Sequence, residues 1–224
     1  MRDFRSYLFL NRGDHFLARP LPMEAQLAPA FGVCIGDLDG DGHEDLVLAQ
    51  NFFATQPETP RLDGGRSLWL RGDGHGNFQP VPGQESGLLV YGEQRGAALA
   101  DFDHDGRVDV VISQNGAQTK LYRNAAARPG LRVRLSGPPG NRDAIGAMLR
   151  VQTTERMGPA RELHGGSGYW SCDAPVQVLA SAERPTGIVV RWPGGKSTTH
   201  PIPAGATEII ADISGATKRV DPHP

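Results

Sequence analysis

Two nine-residue windows hold the residues whose types and spacing could do chemistry. Asp37-x-Asp39-x-Asp41-Gly42-His43-x-Asp45 and Asp101-x-Asp103-x-Asp105-Gly106-Arg107-x-Asp109 carry nine of the 25 acidic residues in a chain of 224, eight aspartates and Glu44. Oxygens at positions 1, 3 and 5 of a tight loop converge on one centre, glycine at 6 permits the sharp turn, position 7 can lend a backbone carbonyl, and position 9 adds a carboxylate. Four carboxylates within about 4–6 Å repel one another by roughly 3–4 kcal/mol per pair at an effective dielectric near 20, so the loop is strained without a cation. A flexible, all-oxygen donor set favours Ca²⁺ over Mg²⁺. The expectation is two Ca²⁺ sites, one built from Asp37, Asp39, Asp41, His43 and Asp45, the other from Asp101, Asp103, Asp105, Arg107 and Asp109. His43 should lend only its carbonyl, while His104 should face solvent. An EF-hand would need a bidentate Glu at position 12, where Leu48 and Ile112 stand, and the flanks read as strands. Asp-Gly clusters also make ordinary turns; the same spacing in two copies argues for the metal.

The windows belong to a longer repeat. Residues 32–51 and 96–115 align at a fixed offset of 64, with Gly32 on Gly96, all four aspartates in register, and Gln50-Asn51 on Gln114-Asn115. A looser echo precedes each copy, Leu8 to Phe16 resembling Leu68 to Phe78, and a truncated one appears at Leu121 to Asn124. Short apolar runs (33–35, 46–49, 68–70, 97–99, 108–112) alternate with Gly, Asp and Asn clusters, which is the grammar of strands and turns. With 29 glycines and 18 prolines the chain is turn-rich and poor in long helices. A period near 60 with about four strands fits a propeller blade. Residues 131–213 continue the strand pattern at 131–135, 148–152, 176–179, 188–192 and 208–213, which predicts a small β-sandwich.

Composition excludes other classes. A formal charge of −2 gives no bulk pull toward nucleic acid or anionic membrane, and no apolar run reaches the roughly 18 residues of a membrane span. Cys34 and Cys172 form no metal or redox spacing. The apolar stretch at Tyr7 to Leu10 is too short for a signal-peptide core.

With their Gly-rich lead-in and the following LVLAQN or VVISQN, the windows resemble FG-GAP (VCBS) repeats, the blades of integrin-α-like propellers. That resemblance implies Ca²⁺ in a strand-to-strand loop of each blade. Residues 131–203 resemble the ASPIC/UnbV domain through Leu131 to Leu135, Gly140 to Ala147, Gly166 to Tyr169 and Val190 to Lys196. That domain follows FG-GAP repeats in the cartilage acidic protein family. The sequence departs from the family pattern at Trp170, Ser171 and Cys172, and near Val178 to Ala182.

The expected organisation is all-β: about two FG-GAP blades of a partial β-propeller over 1–127, a β-sandwich-like ASPIC/UnbV domain over 128–213, and a tail over 214–224. Closed propellers need four to eight blades, so a longer protein is expected, and extracellular Ca²⁺ would suit such loops. No Ser/His/Asp or Cys/His arrangement is visible. The expected function is a non-enzymatic calcium-binding interaction or adhesion module with a protein or glycan ligand. The alternative is a carbohydrate-binding accessory region of a secreted enzyme, with Trp170 as the stacking platform. Arg12-Gly13-Asp14, Arg71-Gly72-Asp73 and Gly194-Gly195-Lys196-Ser197 read as turns, and Ser167 reads as structural.

Overall fold

The computed structural model describes residues 5–220. It is an all-β chain of several sheets, with no closed barrel among the described residues. A hairpin, β1 (Tyr7–Asn11) with β2 (Phe16–Pro20), comes first. A four-stranded antiparallel sheet is next: β3 (Ala30–Gly36), β4 (Asp45–Gln50), β5 (Leu68–Gly72) and β6 (Phe78–Val81), in chain order. The second copy forms a three-stranded sheet, β7 (Glu93–Ala100), β8 (Asp109–Asn115) and β9 (Ala117–Tyr122). It has one strand fewer than the four expected, because after Tyr122 the chain passes to the next unit.

Both copies fold alike. The register shifts between Ala30 and Gly32 in the β3–β4 ladder and between Gln94 and Ala97 in the β7–β8 ladder, equivalent places in the repeat. The LVLA run of β4 is buried on both faces, as a strand packed between two apolar layers must be. One face packs Val47 and Ala49 against Ala97, Leu99, Val110 and Ile112 of the second sheet. The other packs Leu46 and Leu48 against Leu68, Leu70 and Ala25. β3 alternates: Cys34 is buried while Val33 and Ile35 are exposed, the period-two signature of a strand with one open face.

The second unit contains β10 (Leu131–Ser136), β11 (Met148–Gln152), β12 (Arg161–Glu162), β13 (Gln177–Leu179), β14 (Gly187–Arg191), β15 (Ser197–Pro201), β16 (Glu208–Asp212) and β17 (Thr217–Val220). They form two four-stranded sheets, β13-β10-β16-β17 and β12-β11-β14-β15. One core joins them: Val133, Leu135, Leu149, Ile188, Val190, Trp192 and Ile209. The β10–β16 pair is parallel, and the others in these sheets are antiparallel. The stretch from 214, expected as a tail, instead supplies β17. Lys218 and Arg219 give it the polar face of an edge strand, which masks it in the sequence. Residues 221–224 of that tail lie outside the described residues.

Two of the three expected turns are turns, while Arg71 and Gly72 are the last residues of β5 and the turn there begins at Asp73. Arg12-Gly13-Asp14 closes β1–β2 through Arg12 N–H to His15 O, and Gly194-Gly195-Lys196 closes β14–β15 through Trp192 N–H to Lys196 O. Asp73 holds the β5–β6 turn by accepting from the backbone of His75 and Asn77.

Candidate metal centres

Each Asp window forms the loop between the first two strands of its sheet, and the two loops have matching hydrogen bonds. Asp37 accepts from Gly40 N (2.7 Å), Asp41 N (3.1 Å) and Gly42 N (2.8 Å). Asp101 accepts from Asp105 N (3.0 Å) and Gly106 N (2.8 Å). Position 9 ties each loop both to itself and to a more distant part of the chain. Asp45 accepts from Leu38 N (3.0 Å) and Gly72 N (2.8 Å), and Asp109 from Phe102 N (3.0 Å) and Asn124 N (2.7 Å). Gly72 and Asn124 sit at corresponding places of the Leu68 and Leu121 echoes, so the repeat reaches past the windows.

Three carboxylates converge in each loop. Oxygens of Asp37, Asp39 and Asp45 lie within 4.8 Å of one another, as do those of Asp101, Asp103 and Asp109. Position 5 is left out of both groups. Asp41 accepts from His43 N (2.8 Å), while Asp105 accepts from Arg107 N (3.0 Å) and pairs with the Arg107 and Arg123 guanidinium groups (2.9 Å each). Their side chains are engaged locally, as Asx-type turns engage them. Arg107 also donates to Ala127 O (2.7 Å), and a Cβ on Gly74 would fall 2.3 Å from His43 Nδ1. His104 is exposed at φ +63°.

Burial opposes charge in both groups. Asp37, Asp45 and Asp109 are 3, 0 and 1 % exposed. Desolvation outweighs the backbone donors and pushes Asp45 up to about 7, and it raises Asp37 and Asp109 as well. Asp103 moves the other way because Arg123 bonds to it. A divalent cation would compensate the buried charges, and the donor set of hard oxygens suits Ca²⁺.

Spacing does not disclose the arginines. Arg71 pairs with Asp39 (2.8 Å), Arg123 with Asp103, and Arg132 with Asp101. The echoes at 68–72 and 121–124 place Arg71 on β5 and Arg123 just past the end of β9, beside the loops, and that is the one available signal.

Both loops abut the start of the second unit. Arg128 N donates to Asp39 O (3.1 Å), and Gly130 N to Gly106 O (2.8 Å). Gly40, at φ +75°, has room for no side chain: a Cβ there would lie 2.3 Å from Arg128 O. Gly40→Ala is expected to lose about 3 kcal/mol from left-handed strain and overpacking together, read from urea unfolding. A loss below about 1 kcal/mol would mean that the seat yields freely.

The second unit can be placed among known proteins. Residues 137–216 match the family described as ASPIC and UnbV. The ASPIC/UnbV domain thus begins just after β10 and ends just before β17, and these two strands complete its sheet. Cartilage acidic protein 1 of Xenopus tropicalis is 27% identical over 128 residues, covering 55% of this chain. The match spans 20% of that relative's length.

Proposed function

We propose that the chain is a calcium-stabilised, non-enzymatic interaction module of a longer extracellular protein. In this reading the β3–β6 and β7–β9 sheets are successive FG-GAP-type propeller blades with an ASPIC/UnbV domain seated against them. Asp37, Asp39 and Asp45 would hold one Ca²⁺, and Asp101, Asp103 and Asp109 the other. Main-chain oxygens at His43 and Arg107 are candidates to complete the shells. The cation supplies fixed positive charge; the chain's own groups hold the loops closed and seat the neighbouring domain. The observation that carries this reading is the convergence of three carboxylates, two of them almost fully buried, at equivalent points of both copies.

Calcium titration followed by native mass spectrometry tests it, with two ions retained as the expected result and none as the refutation. The loops should differ in strength. In the first group only Asp39 is paired directly, with Arg71, and Arg161 acts on Asp37 from farther off, whereas in the second both Asp101 and Asp103 are paired directly, with Arg132 and Arg123. Cations already in place weaken the pull on another, so calorimetry should resolve a tighter event and one about tenfold weaker. Asp39→Asn should remove the tighter event and Asp103→Asn the weaker one; the reverse order would contradict the charge argument.

A further inference from the structure

A cavity of about 490 Å³ opens between the repeated sheets and the ASPIC/UnbV domain. Val33 and Ile35 on the open face of β3, with Leu99 of β7, form apolar wall. Glu44, Arg161, Glu162, His164, Ser167 and Asp173 contribute its polar groups.

Two of these carry hydrogen-bonding capacity that the protein leaves unused. Glu44 Oε1 accepts from Arg161 Nε at 2.7 Å, while Glu44 Oε2 is buried with no partner. Ser167 Oγ is also buried and makes no well-formed hydrogen bond; burial raises the neighbouring Asp173 carboxyl, and Ser167 offsets that rise only in part. Buried polar atoms without partners are uncommon and costly, so each one asks what it is for. Arg161 already offsets the Glu44 charge and also donates to Val178 O. The free oxygen therefore calls for a neutral donor more than for a second cation.

The hairpin that supplies Gly166 and Ser167 to the cavity wall also displays an indole. Ser167 N donates to Ser171 O (2.9 Å), closing a tip formed by residues 168–171. Tyr169 is pinned edge-on against Phe31, with ring centroids 6.1 Å apart, and Arg95 lies 4.1 Å over the Phe31 ring. Trp170 turns outward instead: it is 93% exposed and sits at φ +51°. A large aromatic gains nothing from burial there and is in the left-handed region that only glycine adopts freely. Of the other tryptophans, Trp192 is core and Trp69 packs beside Arg71. Trp170 alone of the three is presented to solvent.

We infer that this cleft binds a neutral saccharide, with Trp170 stacking on a sugar face and Glu44 Oε2, Ser167 Oγ and Glu162 meeting its hydroxyls. A saccharide offers both an apolar C–H face and a rim of hydroxyl donors and acceptors. Glu44, Glu162 and Asp173 line the cavity against the single Arg161 guanidinium, Asp101 being paired with Arg132, and this excess of carboxylates disfavours sulfated or uronic glycans. The inference rests on reading the chain as a binding module, but it does not need the calcium assignment.

The test is isothermal calorimetry and saturation-transfer NMR on the full chain, in Ca²⁺ and again in chelator. The probes are cellotetraose, maltotetraose, mannotetraose and chitotetraose, with tetragalacturonate, a heparin tetrasaccharide and tetralysine as contrasts. At least one neutral tetrasaccharide should bind saturably while the anionic ones do not, and Trp170→Ala should weaken it about tenfold. Trp170→Gly removes the same ring and relieves the positive φ, so it should weaken binding about as much as alanine does, with the melting temperature unchanged or raised. Absence of binding by every neutral probe, binding indifferent to Trp170→Ala, or binding by tetralysine or the polyanions alone would each overturn the inference. Calcium retention is read separately, so failure here leaves the metal reading standing or falling on its own result.

Discussion

Arg132→Ala should destabilise the chain by about 3–5 kcal/mol, the usual loss when one partner of a buried ion pair is removed. The Arg132 side chain is 4% exposed and bridges two elements. It donates to Glu208 Oε2 at 2.8 Å across the parallel β10–β16 pair, and to Asp101 of the second loop. Truncation would strand Asp101, whose side chain is 1% exposed, and leave Glu208, 12% exposed, with only Arg134 at 3.5 Å. Arg132→Lys keeps the charge but not the two-way fork, so it should fall between wild type and alanine in urea unfolding. A loss under about 1 kcal/mol for alanine would show that water reaches the pair and that the link between loop and domain is weak.

Chelation should give the other large effect, and its expected sign with pH comes from burial. Asp45 is pushed from an ordinary carboxylate value of 3.8 up to about 7 in the folded chain, and Asp37 and Asp109 are raised too. Between those limits the folded state holds a proton that the unfolded state has released. The metal-free protein therefore loses stability as pH rises through that window, by up to roughly 1.4 kcal/mol per pH unit for each proton held. With Ca²⁺ present the carboxylates are charged and compensated, and a site saturated a hundredfold above its dissociation constant adds about 2.7 kcal/mol. The gap between melting temperatures in Ca²⁺ and in chelator should be small near pH 5 and widest near pH 8. A gap that narrows with rising pH, or is absent throughout, would show that no cation replaces those protons.

Much of this architecture is legible in the sequence wherever side chains alternate or repeat. Met148–Gln152 has the bounds its pattern predicts because its apolar residues alternate and no neighbouring element disturbs them. The two Asp loops and their strands are legible because the copies check one another. β12 is only two residues long, and the parallel pairing of β10 with β16 joins residues 76 apart; neither leaves a local pattern. At the site, the convergence of positions 1, 3 and 9 is readable, whereas the diversion of Asp41 and Asp105 is not. Those side chains are taken up by turn hydrogen bonds, and Asp105 also by Arg107 within its own loop and by Arg123, brought in from beyond β9. Glu44 and Arg161 stand 117 residues apart, so the cleft between them exists in no window of sequence.

The short stretch from Ala127 to Gly130 is touched by both loops: Arg107 reaches Ala127 O, Asp39 O receives Arg128 N–H, and Gly106 O receives Gly130 N–H. One span of backbone is thus a shared anchor. Ordering it from one side lowers the entropy that remains to be lost from the other, so occupancy of the two loops would be linked, the first ion easing the entry of the second. By the reciprocity of linked equilibria, tension that pulls the two halves of the chain apart would loosen both ions together.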